Sequence, residues 1–166
     1  MHWHFDKGFS RKSKNSIFIN SYFPHWLVSE ADKYGGQVIH ISTDCVFSGK
    51  KGGYIEADFR DADDIYGRGK ALGELIGGRH LTLRTSIIGP ELKSNGEGLF
   101  HWFMNQKGET NGYTKAIWGG VTTFELAKVI KDCVFKKERA CFTLLMVNQF
   151  QNMTFWKFSI PHSVPS

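Results

Sequence analysis

Apolar and polar positions fall into blocks along this chain, and the period changes from block to block. Residues 15–34 (NSIFINSYFPHWLVSEADKY) carry Ile17, Tyr22, Trp26, Leu27 and Ala31 near helical spacing. Pro24 lies inside that run, where its missing N–H and its ring predict a kink or a weakened turn. Gly35-Gly36 ends the run. Residues 37–43 (QVIHIST) are short and β-branched and read as a buried strand. Residues 48–64, rich in Gly, Lys and Asp, read as a loop. Residues 64–76 predict an amphipathic helix closed by Gly77-Gly78, and residues 80–87 (HLTLRTSI) a second strand broken by Gly89-Pro90. Residues 96–107 read as a helix and 112–121 as extended or looped. Thr122 or Thr123 caps a last helix running to about Val134, with Glu125 in its first turn, at the positive end of the dipole. Strand and helix alternate, which predicts an α/β domain with a parallel sheet, with too few strands for a complete doubly wound one.

Bulk properties narrow the class. With 166 residues and 41% hydrophobic content, the chain is long enough for one modest domain with a real core. No apolar run approaches the ~20 residues that span a bilayer, so no membrane role is expected. The opening MHWHFDKGFSRKSKNS has no apolar stretch of the secretory kind. Cys45, Cys133 and Cys141 are odd in number and form no close pair, which fits a reducing cytoplasm. The net charge of +5 is scattered in small clusters, with no basic helix or recognisable module, so nucleic acid is not an expected partner. His2 and His4 read as part of a basic lead-in, and no metal site is expected.

The candidate chemistry centres on Tyr66-Gly67-Arg68-Gly69-Lys70, with Tyr66 standing 22 residues after Asp44. On a helix, Tyr66 and Lys70 are one turn apart on one face. A neighbouring cation favours the phenolate, and bringing a free Tyr from about 10 to about 7 needs roughly 4 kcal/mol. A hydroxyl from Thr43 can hold a carbonyl oxygen beside that phenol. The set is a constellation for interconverting a carbonyl and an alcohol.

The order VIHISTDCVFSGKKGGYIEADFRDADDIYGRGKALGE, followed by LTLRTSIIGPE, resembles the extended short-chain dehydrogenase/reductase family, and within it the dTDP-4-dehydrorhamnose reductase branch. Ser42-Thr43-Asp44, Val46-Phe47, Gly49, Tyr54, Glu56, Asp58, Tyr66-Gly67, Lys70, Gly73-Glu74 and Arg84-Thr85-Ser86 carry the likeness, as do Asn20, Pro24 and Leu27. The resemblance implies NADPH or NADH as cofactor and a nucleotide-linked 4-keto-6-deoxyhexose as substrate, in deoxysugar and surface polysaccharide biosynthesis. It makes Tyr66 the proton donor, Lys70 its cationic tuner and ribose anchor, and Thr43 and Asp44 the substrate-oxygen and proton-handling pair. It assigns Ser42, Tyr66, Lys70, Ser86 and Ile87 to the cofactor, and Thr43, Asp44, Cys45, Tyr66 and Ile87 to the substrate. Related 4,6-dehydratases carry Glu where this chain has Cys45, so reduction is favoured over dehydration, and a sugar-nucleotide epimerase or dehydratase is kept as an alternative. A homodimer is left open.

The family's opening strand, Gly-rich turn and helix have no counterpart here. The cluster Gly49-Lys50-Lys51-Gly52-Gly53 leads into YIEADF rather than a helix. The expectation is a partial Rossmann-like parallel sheet with flanking helices, lacking the first βαβ units, as in an N-terminally truncated product. Residues 1–14 are then a disordered lead-in, 15–134 the partial reductase domain and 135–166 an atypical tail. An inactive remnant or a non-catalytic binding homologue is the alternative to an enzyme.

Overall fold

The computed structural model describes residues 13–93, 95–110, 112 and 118–144. The lead-in as far as residue 12, with His2 and His4, and the tail from 145 lie outside the described residues.

The first apolar run folds as α1 (Ser13–Ile17), a π-helical turn (Phe18–Tyr22) and α2 (Phe23–Asp32). Pro24 sits in the first turn of α2, where an N–H is not needed. The expected kink is thus absorbed by a widened turn just before the proline. Pro24 cannot donate to the Asn20 carbonyl, and that carbonyl lies against Gly73. A Cβ on Gly73 would meet Asn20 O, Asn20 C and Pro24 Cγ, so the helices approach there only because residue 73 is glycine.

Strand β1 (Ile39–Ser42) follows, then a short 3₁₀ turn (Asp44–Val46), α3 (Ile65–Leu72) and β2 (Leu81–Arg84). β3 (Ile87–Ile88), α4 (Leu99–Met104), β4 (Val121–Thr122), α5 (Thr123–Lys136) and β5 (Ala140–Thr143) complete the order. β1, β2 and β5 form a parallel sheet with β2 central, in register Ile39 with Leu81 with Ala140. β3 and β4 form a separate parallel pair. The expected α/β architecture with parallel strands and flanking helices is what the chain adopts.

Several boundaries move, each for a local reason. The run 80–87 is two strands, because Val121 N–H and the Thr85 hydroxyl both donate to the Ser86 carbonyl, at 2.8 and 3.1 Å, and carry the chain to β4. The helix expected over 64–76 stops at Leu72. Leu75 N–H donates to Thr82 Oγ1 (2.8 Å) and its carbonyl accepts from the same hydroxyl (3.1 Å), which pulls residues 74–75 onto β2. The helix expected over 96–107 shortens at its start because the Glu91 carboxylate accepts from Glu97 and Gly98 N–H (3.1 and 2.5 Å). Thr122 is the cap of α5, accepting from Glu125 N–H at 3.1 Å. Beyond residue 134, in the segment set apart as a tail, α5 ends at Lys136 and β5 supplies the third strand.

The core lies on one face of the sheet. Leu81 and Leu83, both fully buried, pack with Ile39, Ile41 and Leu144 against Val129, Ile130 and Cys133 of α5.

Candidate functional site

The residues expected to do chemistry gather where β1 ends. Thr43, extended and buried, caps the 3₁₀ turn: its Oγ1 accepts from Cys45 N–H at 3.2 Å and donates to Asp44 Oδ1 at 3.2 Å. Asp64 caps α3 by accepting from Gly67 N–H at 2.8 Å, which sets Tyr66 in the helix's first turn. Gly67 is pressed against the Cys45 carbonyl and the Ala62 side chain, where any Cβ would collide. That close approach is why a glycine follows the tyrosine, and it brings the phenol over the Thr43–Cys45 turn.

The electrostatics differ from the expectation. Burial raises the Tyr66 phenol above its ordinary value, with Cys45 and Asp44 adding to the rise and the nearby Thr43 hydroxyl opposing it. Lys70 is not among the main causes of that shift. Its Nζ donates instead to the Ile41 carbonyl at 2.6 Å, and burial lowers its own pKa. One helical turn separates the two residues, and the long Lys70 side chain runs to the sheet. Cys45 keeps an exposed edge, while packing around its sulfur raises the thiol, as does Asp44. It stays a thiol at neutral pH.

Ser42, Ser86 and Ile87 go elsewhere. Ser42 Oγ donates to Glu74 Oε1 at 2.9 Å. Ser86 Oγ accepts from Trp118 Nε1 at 2.7 Å, and Ile87 is exposed on β3, paired with Val121. The structure thus brings Thr43, Asp44, Cys45 and Tyr66 together, and holds Ser86 and Ile87 one strand along the same rim.

Two groups carry weight that the sequence pattern did not reveal. The first is Glu74, whose carboxylate is wholly buried. It receives Arg84 Nε (2.7 Å) and Nη2 (2.8 Å), Arg60 Nη1 (2.9 Å) and the Ser42 hydroxyl. Burial pushes this carboxyl up, and the guanidinium hydrogen bonds more than reverse it, leaving its pKa below the usual value. Arg84 also donates to the Glu56 carbonyl (3.2 Å) and lies over the Phe47 ring at 5.1 Å. Tyr54 Oη donates to Asp61 at 3.1 Å and stacks on Phe47. So Val46-Phe47, Tyr54, Glu56, Gly73-Glu74 and Arg84 knit one polar knot beneath the site. The signal was an arginine in a strand of otherwise uncharged residues, LTLR. The second group is Trp118, for which only the following pair Gly119-Gly120 gave any hint.

Among the described residues no cluster of His, Cys, Asp and Glu is arranged to hold a metal ion, and no helix is long and apolar enough to cross a membrane.

Comparison with known proteins shows what the chain resembles in sequence and in fold. The chain is 44% identical over 74 residues to the spore coat polysaccharide biosynthesis protein SpsK of Bacillus subtilis, covering 44% of this chain and 25% of that protein. It is 43% identical over 67 residues to a dTDP-4-dehydrorhamnose reductase of Burkholderia thailandensis, covering 37% and 22%. The fold superposes on a crystal structure of a dTDP-4-dehydrorhamnose reductase from Clostridium acetobutylicum with TM-score 0.72 at 22% identity, covering 84% of this chain and 51% of that one. The corresponding enzyme of Bacillus anthracis, solved in complex with NADP, gives TM-score 0.73 at 19% identity, covering 84% and 52%. The chain spans about half the length of these solved relatives and a quarter or less of the curated ones. Residues 4–117 match the model of the RmlD substrate binding domain, and the chain belongs to that family.

Proposed function

We propose that this chain carries the proton-donating, sugar-holding part of an NAD(P)H-dependent reductase acting on a nucleotide-linked 4-keto-6-deoxyhexose, in cytoplasmic deoxysugar and surface polysaccharide synthesis. The observation that carries the reading is the close approach of Gly67 to the Cys45 carbonyl, which brings the first turn of α3, with Tyr66, onto the turn that Thr43 caps at the C-terminal edge of a parallel sheet. That edge is where open α/β sheets take their ligands. The family match and the named activity of the relatives support the substrate class.

A ketone oxygen set between the two hydroxyls would accept from both. Thr43 has one proton, directed to Asp44 at rest, and a bound oxygen competes for it. The raised phenol keeps Tyr66 protonated at neutral pH, as a donor must be. When the carbonyl carbon is reduced, its oxygen takes the Tyr66 proton and becomes the alcohol; the phenolate regains a proton from water. NAD(P)H, when bound, supplies the hydride. The residues here fit its nicotinamide-ribose end: one of the three Lys70 N–H donors is taken by Ile41, leaving the others for ribose hydroxyls. No cradle for its pyrophosphate is found among the described residues. Gly49, Gly52 and Gly53 have positive φ and open space around them but lead into no helix. That observation favours a second reading, a sugar-nucleotide binder without turnover.

Incubating the chain with NADPH and dTDP-4-dehydrorhamnose, and following nicotinamide absorbance and the sugar product, separates these readings. Turnover is expected to fall by roughly 10²–10⁴-fold in Tyr66→Phe with sugar-nucleotide binding retained. Undiminished turnover in that variant removes Tyr66 from the reaction. Binding without turnover in the unaltered chain selects the second reading.

A further inference from the structure

We propose that Lys70 and Glu56 close the two open edges of the β1–β2–β5 sheet, and so keep it from pairing strand to strand with a second copy of this chain. The proposal stands apart from the reductase reading. Among the described residues β1 and β5 each pair with β2 alone, so the sheet has two edges. Successive residues of a strand turn their backbone groups to alternate sides within the sheet. Leu81 N–H donates to the Val38 carbonyl at 3.0 Å, so Val38 and His40 face β2. Ile39 and Ile41 then turn their N–H and C=O groups to the open side. On β5, Ala140 N–H donates to the His80 carbonyl (3.3 Å) and Leu144 N–H to the Arg84 carbonyl (2.8 Å). Cys141 and Thr143 therefore face outward there.

Each edge is met by a charged side chain from outside the sheet. Lys70 Nζ, from α3, donates to the Ile41 carbonyl at 2.6 Å, an outward acceptor of β1. Glu56 Oε1, from the loop before α3, accepts from Thr143 N–H at 2.9 Å, an outward donor of β5. The signs match, an ammonium on a carbonyl and a carboxylate on an amide. An incoming strand needs those same two backbone groups. It has to displace a charge-assisted bond and offers only a neutral one in return. Charged side chains, lysine above all, are a common means of keeping a sheet from continuing into another molecule.

The partner held off is a second copy because the two edges fit one another. Both belong to one parallel sheet, and both strands are four residues long. β5 of one copy can therefore carry the sheet on to β1 of the next, in the same parallel sense as β2 and β5. Such a contact is head-to-tail and does not close on itself, so it adds copies without limit. Freeing either edge gives that growth a starting point, and freeing both removes the last charge in its way.

Sedimentation velocity over a range of concentrations, with amide hydrogen exchange read residue by residue, tests this in variants whose far-ultraviolet circular dichroism matches that of the unaltered chain. The unaltered chain is expected to sediment as one species, with an Ile41 amide that exchanges freely. Lys70→Met keeps the stem and drops the charge. It is expected to self-associate at about tenfold lower concentration, with the Ile41 amide slowed. Lys70→Arg keeps a charged donor and is expected to behave as the unaltered chain does. Adding Glu56→Ala to Lys70→Met is expected to strengthen association further. Lys128→Met removes an equal charge from α5 and is expected to change nothing. Lys70→Met that sediments like the unaltered chain, or Lys128→Met that associates as strongly, overturns the proposal. So does a protected Ile41 amide in the unaltered chain, a result that stands even where Lys70→Met does not fold.

Discussion

The two faces of the three-stranded sheet are built on opposite principles. Toward α5, β1 and β2 present Ile39, Ile41, Leu81 and Leu83, an apolar set packed on Val129, Ile130 and Cys133. Toward α3 the same strands present Ser42, Thr82 and Arg84, tied to Glu74 and Leu75 by hydrogen bonds, with His40 in the same phase. The apolar face is non-directional and tolerant, and its stability scales with the area it removes from water. The polar face is directional: Ser42, Thr82 and Arg84 each have a required partner, and loss of the Arg84 partner strands a buried charge. Thr43, the next residue after Ser42, and α3, which bears Tyr66, hang on that face. The site is therefore placed by hydrogen bonds rather than by oil, which suits the donor role proposed for Tyr66.

The largest test of this contrast sets Glu74→Leu beside Leu83→Ala. Removing the carboxylate strands Arg84, which is almost wholly buried, and is expected to cost about 3–5 kcal/mol in urea unfolding. Leu83→Ala costs about 2–5 kcal/mol by cavity formation. The two should separate at the site: Glu74→Leu shifts the tyrosine signals of Tyr66 and Leu83→Ala leaves them in place. Equal effects on Tyr66 would erase the distinction.

Next in size is Gly73→Ala. A methyl there meets the Asn20 carbonyl, and the forced separation of α3 from the π-helical turn is expected to cost about 1–3 kcal/mol. Wild-type unfolding midpoints in this variant would mean that the close approach is not needed.

The smallest effect is a pH slope. Burial first, then the Lys70 charge, lowers His40 to about 4, against an ordinary 6.5; Glu74 opposes and His25 assists. Its Nε2 is buried with no hydrogen-bond partner. The unfolded chain therefore binds more protons between those values, and stability falls as the pH drops through that window and levels off below it. Between pH 7 and 6 the loss is less than about 1 kcal/mol. His40→Leu should flatten the slope; an unchanged slope would assign it to another group. The carboxyl of Glu74, held low, acts the other side of that window: its stabilisation is present above about 4.5 and is lost as the pH falls further.

Much of this was legible from residue order. The short β-branched run QVIHIST and the run HLTLRTSI marked the strands, Pro24 marked a disturbed turn, and the cap at Thr122 is one of the two threonines the sequence offered. What escaped was long-range. Helix α3 ends early because Thr82 binds Leu75, a bond across seven residues and a tight turn that no helical periodicity shows. β5 lies in a stretch that had lost its likeness to the family, yet ACFT finds a parallel partner in β2. At the site, spacing put Tyr66 and Lys70 on one helix, but where an ammonium on a flexible stem ends is decided by the nearest unmet acceptor, here the Ile41 carbonyl.

The most direct test of the site is the titration of Tyr66 itself, followed by carbon NMR with labelled tyrosine and assigned through Tyr66→Phe. The phenol is expected to titrate above 10, to rise further in Thr43→Val and to be unmoved by Lys70→Met. A phenol that titrates below 10 and moves upward when Lys70 is removed would contradict this, and would return the tuning of the proton donor to the ammonium.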